Sequence, residues 1–392
     1  MSMNRQRFCL TILLMSGFAL SPPAILPGVA AAAEVPLVAA ARSVDVQGVQ
    51  VLLERAADVQ AAESDGMTAL HWAVQRDAVE IVDLLLAAGA DVSASNHYGV
   101  TPLTLASLNG GGEVVTQLLA AGADPNARLA DGETVLMTAA RTGEVDVIAA
   151  LLAAGGDPNG YEQARGQTAL MWAAAENNVE AIVALVAGGA DIAVRTRDLS
   201  TEDARGTFSR EVGLMGEPRS GPSFTALLFA VQLGQLDAVR TLIELGGDVN
   251  DAFPDGTSAL VLAAMNGQHE VGAFLIDRGA DVHAADQGWN ALHQTIRLRR
   301  TNTGHLPPPK GQGSFSSMDL ISKLIEADID VNAPMMSDFR DGYRNRLNRI
   351  GATPFLLASK NVDTAVMRVL LDAGADPLVP NGDLTTPLMV AA

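Results

Sequence analysis

The chain has 392 residues, with 45 Asp and Glu against 26 Lys and Arg, which gives a formal net charge of −19 at pH 7. A negative field of this size repels phosphate backbones and therefore disfavours nucleic acid as a partner. The single cysteine, Cys9, lies within the first ten residues, so the chain cannot close a disulfide within itself. The fold must therefore be stabilised by apolar burial.

The first 33 residues have the pattern of a secretory signal peptide. Arg5 and Arg7 precede an apolar run at residues 8–20, and a run of small residues ends at Ala33. The apolar run is shorter than the roughly 20 residues that a membrane-spanning helix needs. The sequence predicts cleavage after Ala33, a periplasmic or secreted protein, and no stable membrane insertion after cleavage. The alternative is an uncleaved membrane anchor.

Residues 34–64 are expected to form a starting cap. Two short helical patterns, at residues 36–42 and 46–55, lack the capping threonine that recurs in the rest of the chain. Terminal units of a repetitive fold are expected to be atypical because one of their faces meets water.

A repeated unit follows, and residues 99–126 show it most clearly. Thr101 can cap a helix with its hydroxyl, and Pro102 suits the first helical position because its missing N–H costs nothing there. A second helical pattern ends at Gly122, where the chain must leave the helix with positive φ. Each unit is therefore predicted to contain two short helices.

Three features of this unit recur along the chain. An Asp follows each second helix, and a Gly stands two residues before most helix caps, where a tight turn favours a residue without Cβ. Much of the acidic charge therefore belongs to loops of the repeat. The caps are spaced 32 to 34 residues apart except at two longer steps. They are Thr68, Thr101, Thr134, Thr168, Thr225, Ser258, Asn290, Thr353 and Thr386.

The chain resembles ankyrin-repeat proteins, whose signature is a 33-residue period with Thr-Pro-Leu-His-x-Ala opening the first helix. Residues 68–73 (TALHWA) and 101–106 (TPLTLA) are close to it. The resemblance covers about residues 34–392. It implies an all-α solenoid of stacked helix-turn-helix units with short turn or hairpin fingers, about nine repeats with a truncated last one. The signature histidine, which in the family ties neighbouring turns, is kept at His71 and His293, and apolar packing is expected elsewhere.

Trp72 and Trp172 occupy the same position in their first helices. The resemblance implies a buried Leu at this position. Because large aromatic side chains are usually well buried, both indoles are expected to belong to the core and not to contact a ligand.

Three insertions interrupt the repeats, at residues 195–222, 300–316 and 333–350. The first and third contain arginine and aromatic residues, which are enriched at interface hot spots. The resemblance implies partner contacts at the turns, the concave face and such insertions. The alternative is that the insertions are tolerated, disordered loops. The predicted partner-binding residues are four tip residues expected to be exposed, Met67, His97, Tyr98 and Val100, and eight insertion residues, Arg205, Phe208, Arg210, Phe339, Arg340, Tyr343, Arg344 and Arg346.

The chain contains no motif for catalysis, cofactor binding or metal binding. Residues 328–332 begin like a calcium loop, but Ala333 replaces its glycine and Phe339 its final glutamate. His269-Glu270 lacks the second histidine of a metalloprotease, and phosphate-binding loops and nucleophile elbows are missing. The sequence therefore predicts a protein that is not an enzyme and has no cofactor or metal.

The chain ends at Ala392 inside a first-helix pattern, so continuation into further repeats or another domain is expected. Two functions remain. The favoured one is a monomeric, extracytoplasmic, non-catalytic scaffold for a protein partner of unknown identity. The alternative is the regulatory or targeting arm of a larger enzyme or cytochrome-like protein whose active domain lies beyond residue 392.

Overall fold

The computed structural model describes residues 35–129, 132–197, 223–299, 311, 313–338 and 347–391. These residues form nineteen short α-helices, and their only β-type contacts are single antiparallel residue pairs. The helices come as nine successive pairs, each with a first and a second helix, followed by the first helix of a tenth unit. The predicted all-α repeat architecture is confirmed.

The first helices of the pairs stack on one another, and the second helices do the same, over one continuous apolar core. The first helices are α1 (Pro36–Arg42), α3 (Ala69–Gln75), α5 (Pro102–Asn109), α7 (Val135–Thr142), α9 (Ala169–Ala175), α11 (Ala226–Leu233), α13 (Ala259–Met265), α15 (Ala291–Leu298), α17 (Pro354–Lys360) and α19 (Pro387–Ala391). The second helices are α2 (Val46–Glu54), α4 (Val79–Ala87), α6 (Gly112–Ala120), α8 (Val145–Ala153), α10 (Val179–Ala187), α12 (Leu236–Glu244), α14 (His269–Asp277), α16 (Ser317–Glu326) and α18 (Thr364–Asp372).

All nine predicted caps stand at the start of a first helix. In each case the side-chain oxygen accepts a hydrogen bond from the backbone N–H three residues later, as Thr101 does from Thr104 at 3.3 Å. The bond satisfies one of the unpaired donors of the helix end. These local bonds explain why the helix starts can be read from the sequence.

The two signature histidines tie one repeat to the next. The Nε2 of His71 donates to the carbonyl of Val100 at 3.1 Å, and that of His293 donates to the carbonyl of Ala333 at 3.1 Å. Burial lowers the pKa of both, and that of His293 falls to about 4. The apolar packing expected where histidine is missing is found at five positions, where the side chain is buried: Met137, Met171, Leu228, Val261 and Leu356. It is not found at Thr104, which is polar, or at Met389, which is 66% exposed.

Aspartates shape the loop after every second helix. In all nine loops the carboxylate accepts the backbone N–H of the residue two positions later, at 2.8–2.9 Å. This is the hydrogen bond of an Asx turn. Nine of the acidic side chains therefore serve loop structure, as the repeated pattern predicts.

Side-chain amides join successive loops at five repeat boundaries. Four have a pair of hydrogen bonds, and at the fifth the Asp281 N–H donates to the Oδ1 of Asn250 at 2.8 Å. At one of the four, the Nδ2 of Asn159 donates to the carbonyl of Gly189 at 3.1 Å, and its Oδ1 accepts the N–H of Asp191 at 2.8 Å. Gln60, Asn126 and Asn332 make the same pair of bonds. Ser93 takes this position at another boundary and is too short to bridge the gap.

Asn159→Ala is expected to lower the free energy of unfolding by about 1–3 kcal/mol, because it removes two exposed hydrogen bonds of about 0.5–1.5 kcal/mol each. Ser93→Ala, at the equivalent loop position, is expected to change it by less than about 0.5 kcal/mol. Urea denaturation followed by circular dichroism measures both. Equal midpoints for the two variants would show that the amide bridge contributes nothing.

Candidate functional site: the fingers and the inner groove

A short finger precedes each first helix after α1. In the finger at residues 62–68, Ala62 pairs with Thr68, and the Glu63 N–H donates to the carbonyl of Met67 at 2.9 Å. Gly66 turns the chain with φ of +87°. The other predicted turn glycines also have φ between +72° and +93°, which L-residues rarely adopt. They are Gly99, Gly132, Gly166, Gly256, Gly288 and Gly351.

Backbone hydrogen bonds connect neighbouring fingers. The His97 N–H donates to the carbonyl of Asp65 at 2.9 Å, and the Arg197 N–H donates to that of Arg165 at 2.8 Å. Met336 and Gly382 make the corresponding bonds to Gly288 and Ile350 at 2.8 Å. Fingertips linked in this way hold their side chains at fixed spacing.

The four predicted tip residues differ in their exposure to solvent. Tyr98 is 77% exposed and His97 is exposed, whereas Val100 is half-buried and offers its carbonyl to His71. The expectation that Met67 is exposed is wrong: it is 8% exposed, and its Sδ accepts from Asn96 Nδ2 at 3.5 Å. Met67 precedes the helix cap, where its side chain is covered by the next finger. Partner contact by the other three stays a prediction.

The remaining predicted partner-binding residues belong to the insertions. They lie outside the described residues and are Arg205, Phe208, Arg210, Phe339, Arg340, Tyr343, Arg344 and Arg346.

One face of the first helices meets the fingers, and four of its eight positions are half-buried and four are buried. The floor of this face is the residue four positions after each cap. In the repeats that contain Trp72 and Thr138, a hydrogen bond from this side chain to a finger residue fixes its orientation. Trp72 Nε1 donates to the Glu63 carboxylate at 2.9 Å, and the Thr138 hydroxyl donates to that of Glu133 at 2.7 Å. We call this line the inner groove. It consists of Trp72, Leu105, Thr138, Trp172, Phe229, Leu262, Gln294 and Leu357.

The two tryptophans lie at the border between core and groove. Both pack against the core as expected, but they are only half-buried. The guanidinium of Arg42 lies 4.5 Å from the Trp72 ring centre, and that of Arg141 lies 5.1 Å from the Trp172 ring centre. Each arginine therefore makes a cation–π contact on the groove side. The family-based expectation missed this arginine cover.

Three phenylalanines extend the aromatic lining. The rings of Phe224 and Phe229 stack with centroids 4.6 Å apart, and Phe253 meets Phe224 edge-on at 4.7 Å. All three are half-buried. The groove therefore offers aromatic surface at the point where the chain returns from the first insertion.

The first insertion leaves and re-enters one finger. The Thr196 N–H donates to the carbonyl of Phe224 at 2.8 Å, and the Ser223 hydroxyl donates to the carbonyl of Thr196 at 2.8 Å. Residues 195–197 therefore form one arm of the finger, and residue 223 begins the other. Residues 198–222, between the arms, lie outside the described residues.

An arginine–carboxylate pair borders each insertion. At the first insertion, Arg195 forms an ion pair with the buried Asp251. Arg299 Nε lies 2.7 Å from an Asp363 oxygen before the second, and Arg349 Nη1 lies 3.1 Å from an Asp338 oxygen across the third. Partly buried pairs of this kind resist screening better than exposed ones. They fix the stems from which the insertions leave the repeats.

The described part of the chain holds no group of three His, Cys, Asp or Glu side chains that could bind a metal ion. Nor does any helix in the described ranges have the length and apolar character needed to cross a bilayer.

The sequence predicted partner contacts on the concave face, but it named neither the residues of the inner groove nor the finger arginines Arg128, Arg165 and Arg197 as partner-binding residues. The groove had a readable signal, because its floor residues stand at a fixed distance from each cap. The finger arginines had no such signal in the sequence, because Arg128, Arg165 and Arg197 occupy different positions within their fingers.

Comparison with known proteins agrees with this architecture. The family model for ankyrin repeats matches residues 37–129, 103–196 and 227–305, which together span more than half of the chain. The putative ankyrin repeat protein YahD of Escherichia coli is 27% identical over 175 residues, which cover 42% of this chain and 87% of YahD.

Two animal relatives are longer. Human mitochondrial disaggregase is 43% identical over 168 residues, covering 42% of this chain and 24% of the disaggregase. Ankyrin repeat and SAM domain-containing protein 6 of Danio rerio is 28% identical over 186 residues, covering 42% of this chain and 23% of that protein. The matched part is thus about a quarter of each of these two relatives. With the period, the caps and the stacked helix pairs, these matches show that the chain belongs to the ankyrin-repeat family, whose repeats are protein–protein interaction domains.

Proposed function

We propose that this chain is an extracytoplasmic, non-catalytic scaffold that holds a protein partner through its fingertips, inner groove and insertion loops. The observation that carries the proposal is that backbone hydrogen bonds link neighbouring fingers along one edge of the repeats. On the same edge, arginine–carboxylate pairs fix the residues from which the first and third insertions leave. Binding groups held on rigid elements lose little conformational entropy when a partner docks. The extracytoplasmic location rests on the pattern of residues 1–33, which lie outside the described residues.

The chemistry of the groove favours a protein over a small molecule. Four of its eight residues, which lie on eight successive first helices, are half-buried, namely Trp72, Leu105, Trp172 and Phe229, and the other four are buried. Arg42 and Arg141 lie over the two tryptophans. Trp, Tyr and Arg are the residues most enriched at protein interface hot spots. A surface of this length suits an extended or helical segment of a partner.

Site-specific crosslinking tests the scaffold proposal. A photoreactive amino acid at Tyr98 is expected to capture one partner, whereas the same amino acid at Val183, exposed on second helix α10, is expected to capture none. Replacing residues 198–222 and 339–346 by short Gly-Ser linkers keeps Arg195 and Arg349 and is expected to reduce the Tyr98 crosslink at least tenfold. Equal capture from both positions, or capture unchanged by the replacement, contradicts the proposal.

The location has its own test. The protein with a carboxyl-terminal tag is expected in the extracytoplasmic fraction, with Glu34 as its first residue by mass spectrometry. A protein that retains Met1 in the cytoplasmic fraction would show that residues 1–33 are no export signal.

The disaggregase relative supports a second candidate, in which these repeats are the regulatory or targeting arm of a larger enzyme or cytochrome-like protein. In that relative the matched part is 24% of the length, so similar repeats do occur as a minor part of a larger protein. Reading the gene past Ala392 tests the candidate: a catalytic or haem-binding domain supports it, and a capping helix followed by a stop codon refutes it.

A further inference from the structure

Three consecutive fingers each carry an exposed arginine. Arg128, Arg165 and Arg197 are all exposed, and Tyr161 between them is 46% exposed. We call these four residues the arginine patch. It reaches the stem of the first insertion, because Arg197 is the last described residue at the start of that insertion.

Contacts across the fingers make the patch continuous. Arg128 Nη1 donates to the carbonyl of Tyr161 at 2.7 Å, and Arg197 places its guanidinium 5.4 Å from the Tyr161 ring centre. Arg197 Nη1 also donates to the carbonyl of Gln163 at 3.1 Å, and its backbone N–H bonds to Arg165. Backbone carbonyls and the Tyr161 ring thus orient the guanidinium groups of Arg128 and Arg197. None of these contacts neutralises their positive charge.

The neighbouring carboxylates that the structure describes are already engaged. Glu162 accepts the backbone N–H groups of its own fingertip at 2.6–3.1 Å, and Asp157 and Asp191 close their Asx turns. Glu133 and Asp251 pair with Arg141 and Arg195. Among the described residues, no carboxylate forms an ion pair with Arg128, Arg165 or Arg197.

We propose that the arginine patch binds an extended acidic segment of the protein partner, rich in Asp and Glu. This inference rests on the proposed scaffold function and names the chemistry of one contact. A guanidinium can bind a carboxylate with two parallel N–H donors, and an oriented arginine pays less entropy to do so. The net charge of −19 does not prevent binding, because charges beyond the Debye length of about 8 Å are screened at physiological salt.

Fluorescence anisotropy with two labelled peptides of about twelve residues tests the inference. One peptide is rich in Asp and Glu with Gly and Ser between them, and the other has Asn and Gln in place of every acid. The full chain is expected to bind the acidic peptide at least tenfold more tightly at 50 mM salt, with the preference shrinking as salt rises.

Variants locate the contact. Arg165→Gln and Arg197→Gln together are expected to weaken acidic-peptide binding at least tenfold, and Arg165→Lys, which keeps the charge but loses the planar fork, is expected to weaken it less than Arg165→Gln. Arg278→Gln is the charge-matched control for Arg165→Gln, because Arg278 pairs with Glu244 at 2.9 Å among the second helices. It is expected to leave binding unchanged.

Four results would overturn the inference. They are equal binding of the neutral peptide, unchanged binding by the double variant, an equal loss in Arg278→Gln, and tighter binding of a phosphoserine peptide or a short single-stranded DNA. Circular dichroism of each variant verifies that the fold is kept. If the peptide does not bind but the Tyr98 crosslink persists, this inference fails and the scaffold proposal stands.

Discussion

Gly66→Ala is expected to lower the free energy of unfolding by about 2–5 kcal/mol, of which about 1–2 kcal/mol comes from the backbone and the rest from a steric conflict. Gly66 has φ of +87°. A Cβ at this position would lie 2.9 Å from the Asn96 Cα and 3.1 Å from the His97 backbone nitrogen. Both atoms belong to the backbone of the next finger, so neither can move without moving that finger.

Gly99→Ala separates the two contributions. Gly99 has the same role in the next finger and φ of +75°, but a Cβ there would meet nothing within 4 Å. Its expected cost is therefore the backbone part alone, about 1–2 kcal/mol. Urea denaturation of both variants gives the difference, and equal midpoints would mean that close contact between the fingers is unimportant.

The Gly66 variant also tests a link to function. The conflict lies at His97, whose N–H bonds to Asp65 and whose neighbour is the exposed Tyr98. A displaced finger moves the tyrosine. Crosslinking from position 98 is therefore expected to fall in Gly66→Ala and to persist in Asn159→Ala, which is also destabilised but is altered away from this finger.

Acid is expected to destabilise the chain through His293, by up to about 3 kcal/mol between pH 6.5 and pH 4. Burial lowers the pKa of His293 to about 4, whereas an unfolded histidine has a pKa of about 6.5. Between these values the unfolded state binds a proton that the folded state does not. The stability present above pH 6.5 is therefore lost as the pH falls through this window, and the loss is complete near pH 4.

His293→Met isolates this effect from other acid titrations. The chain itself places buried Met137 and Met171 at the equivalent helix position, so methionine fits the site. Urea midpoints at pH 7.5, 5.5 and 4 are expected to fall less for His293→Met than for the unsubstituted chain. His97→Gln on an exposed fingertip is the matched control and should follow the unsubstituted chain. Parallel curves for all three proteins would contradict the assignment to His293.

The part of the fold that could be predicted depends on short-range chemistry. A cap hydroxyl bonds three residues ahead, a loop aspartate bonds two residues ahead, and a turn glycine fixes its own φ. Each signal lies within a few positions of the structure that it specifies. Repetition then strengthened the prediction, since nine caps, spaced 32 to 34 residues apart except at two longer steps, leave few other architectures.

The candidate site was predicted less well, and Met67 shows why. Its place near a fingertip indicates exposure, but Asn96 of the next finger, 29 residues later, covers it. Trp72 fits a core position by its helix register, but Arg42 of the preceding repeat and Glu63 of the finger hold its ring at the groove edge. Both outcomes depend on how far one repeat is shifted against the next.

By itself, the sequence determined the repeat length, the helix starts, the loop aspartates and the all-α class, because these follow from bonds within one repeat. Only the tertiary structure decided which side chains line the inner groove and which arginines meet on the fingers. Arg128, Tyr161 and Arg197 each lie about one repeat apart, and their contact is set by the stacking of whole repeats. The period places such residues in neighbouring fingers, but the packing of the helices beneath them decides whether they touch.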